Sequence, residues 1–460
     1  MDSKFFWVMN EIDTFFWGFV AFFLILLLGL YFTVHTRAFQ IRALAQIIKT
    51  FCHFLRHPIT DQKGGGVHPI RLFFTSVGGM VGIGNVVGIV TAVQFGGPGA
   101  LFWVWVTGIV GSVIKYAEIY LGFKYRIPKS CGNGYQGGPV HVLKEAFKYR
   151  VFPVLVAFFL CLYCAEIYQF TVMVESISFN YSIDKSVAAV TLMGLILYVV
   201  MGGVDRVTKY CMYINPVMML TYLFMCFWVI FSHIPELPAL FKNVFYSAFN
   251  GHAAVGGFAG SSILMTIRYG VGRAAYSSDI GMGYDSSMQV ESRVTHPENQ
   301  AKLAIFGVYI DNFICTVTLI VVLLSGVWQM SPMVDPPLAV QAALTPYFPF
   351  VKALLPLFFF VAGFTTIVAY FSVGLKTAQY LSPLHGKKAY VLYGLIAMPL
   401  FCFLGSAYAL LMISLSGAGL LILNLIGIYR LRRQVVFIRD IKQGDSMGHQ
   451  EPILDQQNSN

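Results

Sequence analysis

Residues 78–88 read GGMVGIGNVVG, which places five glycines in a segment of eleven residues. The segment lies within an apolar run, residues 72–95, that is long enough to cross the roughly 30 Å hydrocarbon core of a bilayer. Glycine costs a helix about 1 kcal/mol relative to alanine, so this density predicts that the helix unwinds here and turns backbone groups towards a cavity. Close helix packing through Gly84 and Gly88 is the alternative interpretation.

The whole chain has the composition of an integral membrane protein. Of its 460 residues, 57% are hydrophobic and 11% are charged, and the mean hydropathy is +0.69; soluble domains contain about 25% charged residues. The net charge of +10 is spread over short segments between apolar runs, which is not the pattern of a nucleic-acid-binding surface. The eight cysteines have neither metal-ligand spacing nor a disulfide framework. A water-soluble enzyme is therefore excluded, and no cofactor is predicted.

Eleven apolar runs have the length of a transmembrane helix. They lie near residues 15–34, 72–95, 101–123, 151–174, 187–203, 210–231, 250–271, 303–327, 354–375, 389–404 and 407–429. The last two come from one long run that we divide near Gly405 and Ser406. No small-residue cleavage site follows the first run, so we expect it to stay as a helix. The predicted fold class is an all-α integral membrane protein of about eleven transmembrane helices.

Lysine and arginine are concentrated in alternate connections, at residues 37–71, 124–150 and 430–433. The opposite connections contain only Lys4, Lys185, Lys242 and Lys352. Because basic connections mark the cytoplasm, we expect the N-terminus outside the cell and the C-terminus inside. A multi-pass protein of the cell membrane, such as a bacterial inner membrane, is expected. Residues 441–460 are polar and aperiodic and are predicted to be disordered.

A second glycine-rich interruption follows five spans after the first, where residues 256–262 read GGFAGSS. Two interrupted helices in corresponding positions of two five-helix halves indicate an inverted-repeat transporter with its binding site near the bilayer midplane. The predicted organisation is an N-terminal helix and basic connection (1–71), two repeats (72–231 and 232–429) and a cytoplasmic tail (430–460). An odd number of helices per half inverts the second repeat, in agreement with the charge-derived orientation.

Several motifs resemble the sodium:alanine/glycine symporter family. They are GGPGALFWVWVT at 96–107, KYAE at 115–118, KYR at 124–126, GVGR at 270–273, and Asp311 followed by CTVT at 315–318, together with Gly84-Asn85. The resemblance covers roughly residues 70–430. It implies a fold like that of the leucine transporter LeuT, with two five-helix inverted repeats and one extra N-terminal helix, and sodium-coupled import of alanine or glycine.

The breaks and the resemblance together define candidate site residues. For an amino-acid zwitterion, backbone N–H groups at the positive end of a half-helix, near Gly84, suit the carboxylate, and carbonyls of residues 256–260 suit the ammonium. The predicted substrate-binding residues are Gly82, Gly84, Asn85, Glu175, Gly256, Gly257, Phe258, Thr366 and Tyr370. The predicted sodium ligands are Gly78, Val81, Ala362, Thr365 and Thr366, with the Asn85 amide oxygen for a second ion. Back-bonding of the two threonines to their own helix is the alternative.

The sequence departs from the family pattern where substrate is expected. A usual threonine is Ile83, the usual Phe-Ser-Asn-Glu-Ala-Gly run is YSSDIG at 276–281, a usual glutamine aligns with Glu175, and a usual tryptophan with Tyr370. Two alternatives therefore stay open, a different amino-acid substrate and proton coupling through Glu175. Lys115 and Glu118, three residues apart on one helix face, are interpreted as an ion pair.

The predicted function is secondary active transport. Moving one charge down 100 mV releases about 2.3 kcal/mol and a tenfold sodium gradient adds about 1.4 kcal/mol, enough for roughly several-hundred-fold accumulation of a neutral solute. No G-x-x-x-x-G-K-[ST] nucleotide-binding loop is present. An ion channel or a membrane-embedded enzyme is the remote alternative. A channel needs a filter motif, and an enzyme needs clustered His, Asp or Cys at depth.

Overall fold

The computed structural model describes residues 3–56, 65–129, 134–250, 263–330 and 336–438, and these are almost entirely α-helical. The predicted interruption at residues 256–262, with Gly256, Gly257 and Phe258, lies outside the described residues, as does the predicted disordered tail at 441–460.

The first span is one long helical segment with a π-helical turn inside it. Helix α1 (Ser3–Phe15) continues through the π turn Phe16–Val20 into α2 (Ala21–His35). Two further helices follow, α3 (Phe39–Arg42) and α4 (Leu44–Arg56). Helix α4 is amphipathic, and Ile47 and Phe54 are buried on its apolar side.

The glycine-rich second span is broken as predicted. Helix α5 (Pro69–Met80) ends where Val81 leaves the helical conformation, and a π-helical turn (Gly84–Gly88) leads into α6 (Val90–Gly96). The two halves are bent by 43°. The start of α5 is capped by His68, whose Nδ1 accepts a hydrogen bond from the Ile70 N–H at 3.2 Å.

The following segment holds a short hairpin and a second broken helix. Helix α7 (Ala100–Lys124) leads to strands β1 (Ile127–Pro128) and β2 (Tyr135–Gln136), which pair antiparallel, and to helix α8 (Pro139–Ala146). Helix α9 (Val151–Tyr163) stops at Cys164–Glu166, and α10 (Ile167–Tyr181) continues the span. The sequence predicts a continuous span here, since the break contains neither glycine nor proline.

A third break lies in the seventh span. The chain forms α11 (Lys185–Val200), α12 (Gly203–Ser232), a 3₁₀ turn (Ile234–Glu236), α13 (Leu237–Asn250), α14 (Ile263–Ser277) and α15 (Tyr284–Gln289). Between α14 and α15 the φ angles of Asp279, Gly281 and Gly283 are 48°, 74° and 97°. Among the described residues, the seventh span therefore continues past its predicted end at residue 271, and the interruption at 278–283 was not predicted. The predicted interruption at 256–262 lies outside the described residues.

The remaining helices complete the bundle. They are α16 (Pro297–Leu324), a 3₁₀ turn (Val327–Gln329), α17 (Pro336–Leu344), α18 (Val351–Leu381), α19 (Gly386–Leu404), α20 (Ser406–Leu431) and a 3₁₀ turn (Arg432–Gln434). Gly405 separates α19 from α20 with a φ of 102°, which confirms the predicted division of the last apolar run. Helix α16 packs along α7 in the centre of the bundle.

The helices are long and apolar enough for a multi-pass membrane protein. Within the described residues, seven segments meet that criterion, and up to nine do if each bent pair is one span; α11 is a shorter apolar helix. Large apolar side chains such as Leu27 and Phe231 are exposed on the outside, where a bilayer would cover them. The total of eleven spans stays a prediction.

Candidate functional site

Three helix breaks come together in the interior of the bundle, at residues 81–83, 164–166 and 278–283. Gln169, just after the second break, accepts a hydrogen bond from the Ile83 N–H at 3.3 Å. Tyr276, just before the third break, faces Gly84, because a Cβ on Gly84 would lie 3.9 Å from its ring. Both halves of the chain therefore contribute to one buried region, which we call the central site.

Glycine is required at the first break by close contacts. A Cβ on Gly82 would lie 2.5 Å from Thr366 Oγ1 and 2.8 Å from Gln169 Oε1, so any side chain there would displace one of the two. The Gly82 N–H donates to Asn85 Oδ1 at 3.2 Å, which closes the turn without a charged group. Backbone of the first break thus lies directly against polar side chains of α10 and α18.

The predicted sodium ligands lie on two facing helices. Thr366 Oγ1, on α18, donates to the Gly78 carbonyl of α5 at 3.2 Å, so one predicted pair is in contact. Thr365 Oγ1 donates to the carbonyls of Val361 and Ala362, both at 3.1 Å, which is the back-bonding alternative. Both threonines are fully buried. Sodium prefers oxygen ligands of this kind, although each oxygen here also has a hydrogen-bond partner within the protein.

A buried polar cluster joins the first and third breaks through Asp311 of α16. Asn85 Nδ2 donates to Asp311 Oδ1 at 2.5 Å, and Ser278 Oγ donates to Asp311 Oδ2 at 2.6 Å. Ser277 Oγ lies 3.2 Å from Oδ2 and Cys315 Sγ lies 3.4 Å from the Asn85 amide. Sequence reasoning named Asp311 but not its partners. Its partners lie some thirty to more than two hundred residues away, so no local pattern revealed them.

Lys115 does not form the predicted ion pair with Glu118. Its Nζ lies 2.9 Å from Asp279 Oδ2 and 3.4 Å from Asp285 Oδ2, and it donates to the Asp279 carbonyl at 2.5 Å. Glu118 Oε2 instead accepts from the Gly281 N–H at 3.1 Å. All four charged side chains are buried. The prediction was wrong because the spacing of Lys115 and Glu118 on one helix does not reveal the carboxylates of other helices that pack against Lys115.

Tyrosines form one wall of the central site. Tyr370 stacks on Tyr284 with ring centroids 3.5 Å apart and an interplanar angle of 6°. Tyr163 makes edge contacts with both Tyr370, at 5.7 Å, and Tyr276, at 6.3 Å. The predicted site residue Tyr370 therefore lies between the second and third breaks, which sequence reasoning suggested only through its match to a family tryptophan.

Sequence reasoning missed Gln169, and it chose Glu175 rather than Glu166 as a site residue on the same helix. Gln169 contacts the first break, and Glu166 occupies the second break with a φ of 52° and 2% exposure. Glu175 lies six residues beyond Gln169, about 9 Å along α10, where its side chain is 32% exposed and 3.9 Å from Lys185. The available signal was a glutamine six residues earlier in the same apolar run.

Ionic contacts join the connections at one end of the bundle, which we call the basic end: residues 65–68, 125–129, 134–138 and 290–296. Lys129 and Lys376 lie 2.7 and 2.9 Å from Glu291 Oε1. Burial alone would raise the pKa of Glu291, but Lys376 and Lys129 together hold it below its usual range. Arg126 donates to the carbonyls of Val290, Ser292 and Val294. The hairpin, the end of α18 and the segment after α15 are thus joined.

Broken helices from two halves around one buried polar site define a secondary transporter with a LeuT-like inverted-repeat fold, rather than an enzyme. The chain belongs to the sodium:alanine symporter family, whose model matches residues 2–454. The predicted family resemblance is thereby confirmed.

Relatives and a solved structure agree with this class. YflA of Bacillus subtilis, described as an uncharacterised transporter, is 32% identical over 392 residues and covers 83% of this chain and 81% of its own. GlnT of the same organism, described as a probable sodium/glutamine symporter, is 28% identical over 429 residues, covering 91% and 87%. A mutant manganese transporter of Eremococcus coleocola matches with a TM-score of 0.51 at 12% identity over 76% of each chain. That likeness shows the fold alone.

Proposed function

We propose that this protein is a sodium-coupled symporter that imports a small neutral amino acid, alanine or glycine, across the cell membrane by alternating access. The observation that supports it best is the junction of the first and third breaks at Asn85 and Asp311, at 2.5 Å. Occupation of this junction by an ion or a substrate would change contacts in both halves at once, which is the coupling that symport requires.

In this proposal the substrate carboxylate binds at the start of the half-helix that begins at Gly84, where the helix dipole is positive. One sodium ion binds between α5 and α18, to oxygens of Gly78, Val81, Ala362, Thr365 and Thr366. Asn85, with Asp311 beside it, holds a second. The Thr366–Gly78 contact of 3.2 Å supports the first of these sites. Gly82, Thr366 and Tyr370 enclose the substrate.

The orientation proposed from the basic connections places the basic end in the cytoplasm and both repeats, 72–231 and 232–429, across the bilayer. The contacts of Glu291 with Lys129 and Lys376 then close the cytoplasmic side. Rocking of one group of helices against the other would open that side and close the opposite one. The conformation described here, with its cytoplasmic side closed, would accept substrate from outside.

A different neutral amino acid is the second candidate. Two observations favour it: Tyr276 and Tyr370 stand where the family usually has phenylalanine and tryptophan, and the relative GlnT is described as a probable glutamine symporter. The two added hydroxyls change the hydrogen-bonding character of the wall. Proton coupling, through Glu175 or another carboxylate, is the corresponding alternative for the ion.

The test is uptake of radiolabelled L-alanine, glycine and L-glutamine into proteoliposomes under an inward sodium gradient, an inward proton gradient, or neither. We expect sodium-driven accumulation of at least one of them, lost in Asn85→Ala. Thr366→Val should raise the sodium concentration for half-maximal uptake about tenfold, equivalent to about 1.4 kcal/mol. Ser372→Ala, a buried hydroxyl on the same helix that bonds its own backbone, should leave it unchanged. Uptake driven by protons alone would overturn the proposal that sodium is the coupling ion. If no amino acid accumulates under any gradient, the proposal that the protein is a symporter is overturned.

A further inference from the structure

Glu166 is a buried carboxylate in an unusual backbone position. It occupies the break between α9 and α10 with a φ of 52°, a conformation uncommon for residues other than glycine, asparagine and aspartate. Its side chain is 2% exposed, and its Oε2 atom has no hydrogen-bond partner among the described residues. Non-glycine residues held in such positions cluster at ligand-binding sites.

No positive charge among the described residues balances Glu166. Within the described part of the chain Glu166 forms no ion pair, and its acidic neighbours include Asp279 and Tyr276. Arg273 interacts with Tyr276 and Tyr168, and the buried Lys115 is already shared by Asp279 and Asp285. An unpaired carboxylate inside a membrane protein is costly, and such residues face a cavity or a charged partner.

Glu166 also lies at the central site rather than in remote packing. The side chain of Gln169 interacts with Glu166 and accepts from the Ile83 N–H of the first break at 3.3 Å. Tyr276, which interacts with the same carboxylate, faces Gly84 across otherwise open space, and its hydroxyl has no partner within the described part of the chain. A ligand beside Gly84 would therefore be within reach of all three breaks.

The carbonyls of the third break are partly occupied, which narrows the choice of partner for a substrate ammonium. The Asp279 carbonyl accepts from Lys115 at 2.5 Å and the Gly281 carbonyl accepts from Asn424 at 3.0 Å. A carboxylate oxygen with no partner is a stronger acceptor for a cation than either carbonyl.

We propose that Glu166 is the counter-charge for a primary ammonium group of the substrate. The inference rests on the proposed amino-acid transport and adds a specificity-determining residue to it. The carboxylate end of the substrate lies at Gly84 and the ammonium end at Glu166 Oε2, so a ligand that lacks the ammonium leaves Glu166 unbalanced and is rejected. The ammonium is either the α-amino group or a second amino group on the side chain.

The test compares wild type with Glu166→Gln, which keeps the length of the side chain and its contact with Gln169 but removes the charge. Purified protein is titrated with L-alanine, L-glutamine, L-lysine and L-lactate, which replaces the amino group of alanine by a hydroxyl. We expect the wild type to bind its best amino acid at least tenfold more tightly than L-lactate, and Glu166→Gln to lose at least nine-tenths of that preference. Glu236→Gln, which neutralises an exposed carboxylate outside the central site, is the matched control and should keep it.

The ligands distinguish the two sources of the ammonium group. If Glu166→Gln weakens the binding of L-lysine but not of L-alanine or L-glutamine, Glu166 binds the side-chain amine. Unchanged amino-acid affinity in Glu166→Gln, with an altered pH dependence of uptake, would overturn the proposal in favour of a proton on Glu166. If Glu166→Gln loses sodium binding in the absence of amino acid, Glu166 is instead a sodium ligand and the proposal is overturned. If Glu166→Gln does not fold, Glu166→Asn replaces it, because asparagine accepts a positive φ. Failure of the wild type to bind any amino acid would instead reject the proposed transport function.

Discussion

The break at residues 81–83 and the break at residues 278–283 both lie buried in the same site, but different chemistry holds them. The first contains Gly82 and is closed by neutral groups, the Asn85 and Gln169 amides. The break at 278–283, the third break, is held by the buried charges of Lys115, Asp279 and Glu118. A neutral hydrogen bond contributes about 0.5–1.5 kcal/mol net, whereas removal of one partner from a buried ion pair costs about 3–5 kcal/mol.

This difference suggests different roles in a transport cycle. Contacts of the first break are weak enough to be exchanged for a sodium ion or a substrate carboxylate at each turnover. The charged contacts of the third break are too strong to be exchanged in that way. We expect the third break to keep its shape while the first break responds to ligand.

The largest effect is expected for Lys115→Met. It leaves Asp279, Asp285 and Glu118 buried without their cation, so the free energy of unfolding should fall by about 3–5 kcal/mol. Thermal unfolding in detergent measures the change. Lys124→Met, at the exposed end of the same helix, should change stability by less than about 0.5 kcal/mol.

The first break, which is closed by neutral groups, supplies the reference for this measurement of stability. Gln169→Leu leaves the Ile83 N–H without its partner, which costs about 1–3 kcal/mol. Adding Asp285→Asn to Lys115→Met should recover part of the loss, because one unbalanced charge is removed. If Lys115→Met were no more harmful than Gln169→Leu, charge would not be what distinguishes the two breaks.

An intermediate effect is expected for Gly82→Ala at the first break. The new Cβ would displace Thr366 or Gln169, at about 1–3 kcal/mol of stability, and should raise the sodium concentration for half-maximal uptake. Gly88→Ala is the control, since nothing lies within 4 Å of its added Cβ. It should be neutral or stabilise the helix by up to about 1 kcal/mol. Equal effects of the two alanines would mean that helix propensity, not the contact with α18, explains the glycines.

The smallest effect concerns the charges at the basic end, which are closer to solvent. The lowered pKa of Glu291 means that its ionised form stabilises the folded state. This contribution is complete above the ordinary glutamate pKa of about 4.3 and is lost as pH falls through the lowered value. Lys129 and Lys376 are about a quarter exposed, so we expect roughly 0.2–1 kcal/mol. Glu291→Gln should reduce the loss of thermal stability between neutral and acidic pH, and an unchanged pH profile would contradict this assignment.

The same contrast explains which features could be predicted from the sequence. Five glycines within residues 78–88 identify the first break because glycine density is a local property. The span boundaries and the division at Gly405 were equally local. The third break reads SDIGMG at 278–283 and the second reads CAE at 164–166, and neither has the glycine density of the first.

The charged contacts of Lys115 could not be predicted from the sequence for a further reason. Lys115 and Glu118 are adjacent on one helix, so local spacing favoured pairing them, but Asp279 and Asp285 lie far away in the sequence. Which carboxylate Lys115 meets depends on how the third and seventh spans pack. Gln169 and the partners of Asp311 were missed for the same reason, since each of these contacts joins two different helices.

The position of Lys115 also has a consequence for biosynthesis. Its partner Asp279 is 164 residues further along the chain, a delay of roughly 8–33 s at a synthesis rate of about 5–20 residues per second. During that interval α7 contains a lysine whose insertion near the middle of a bilayer costs about 2.5–3.5 kcal/mol. We therefore expect the third span to reach its full stability only after the segment that contains Asp279 has been inserted.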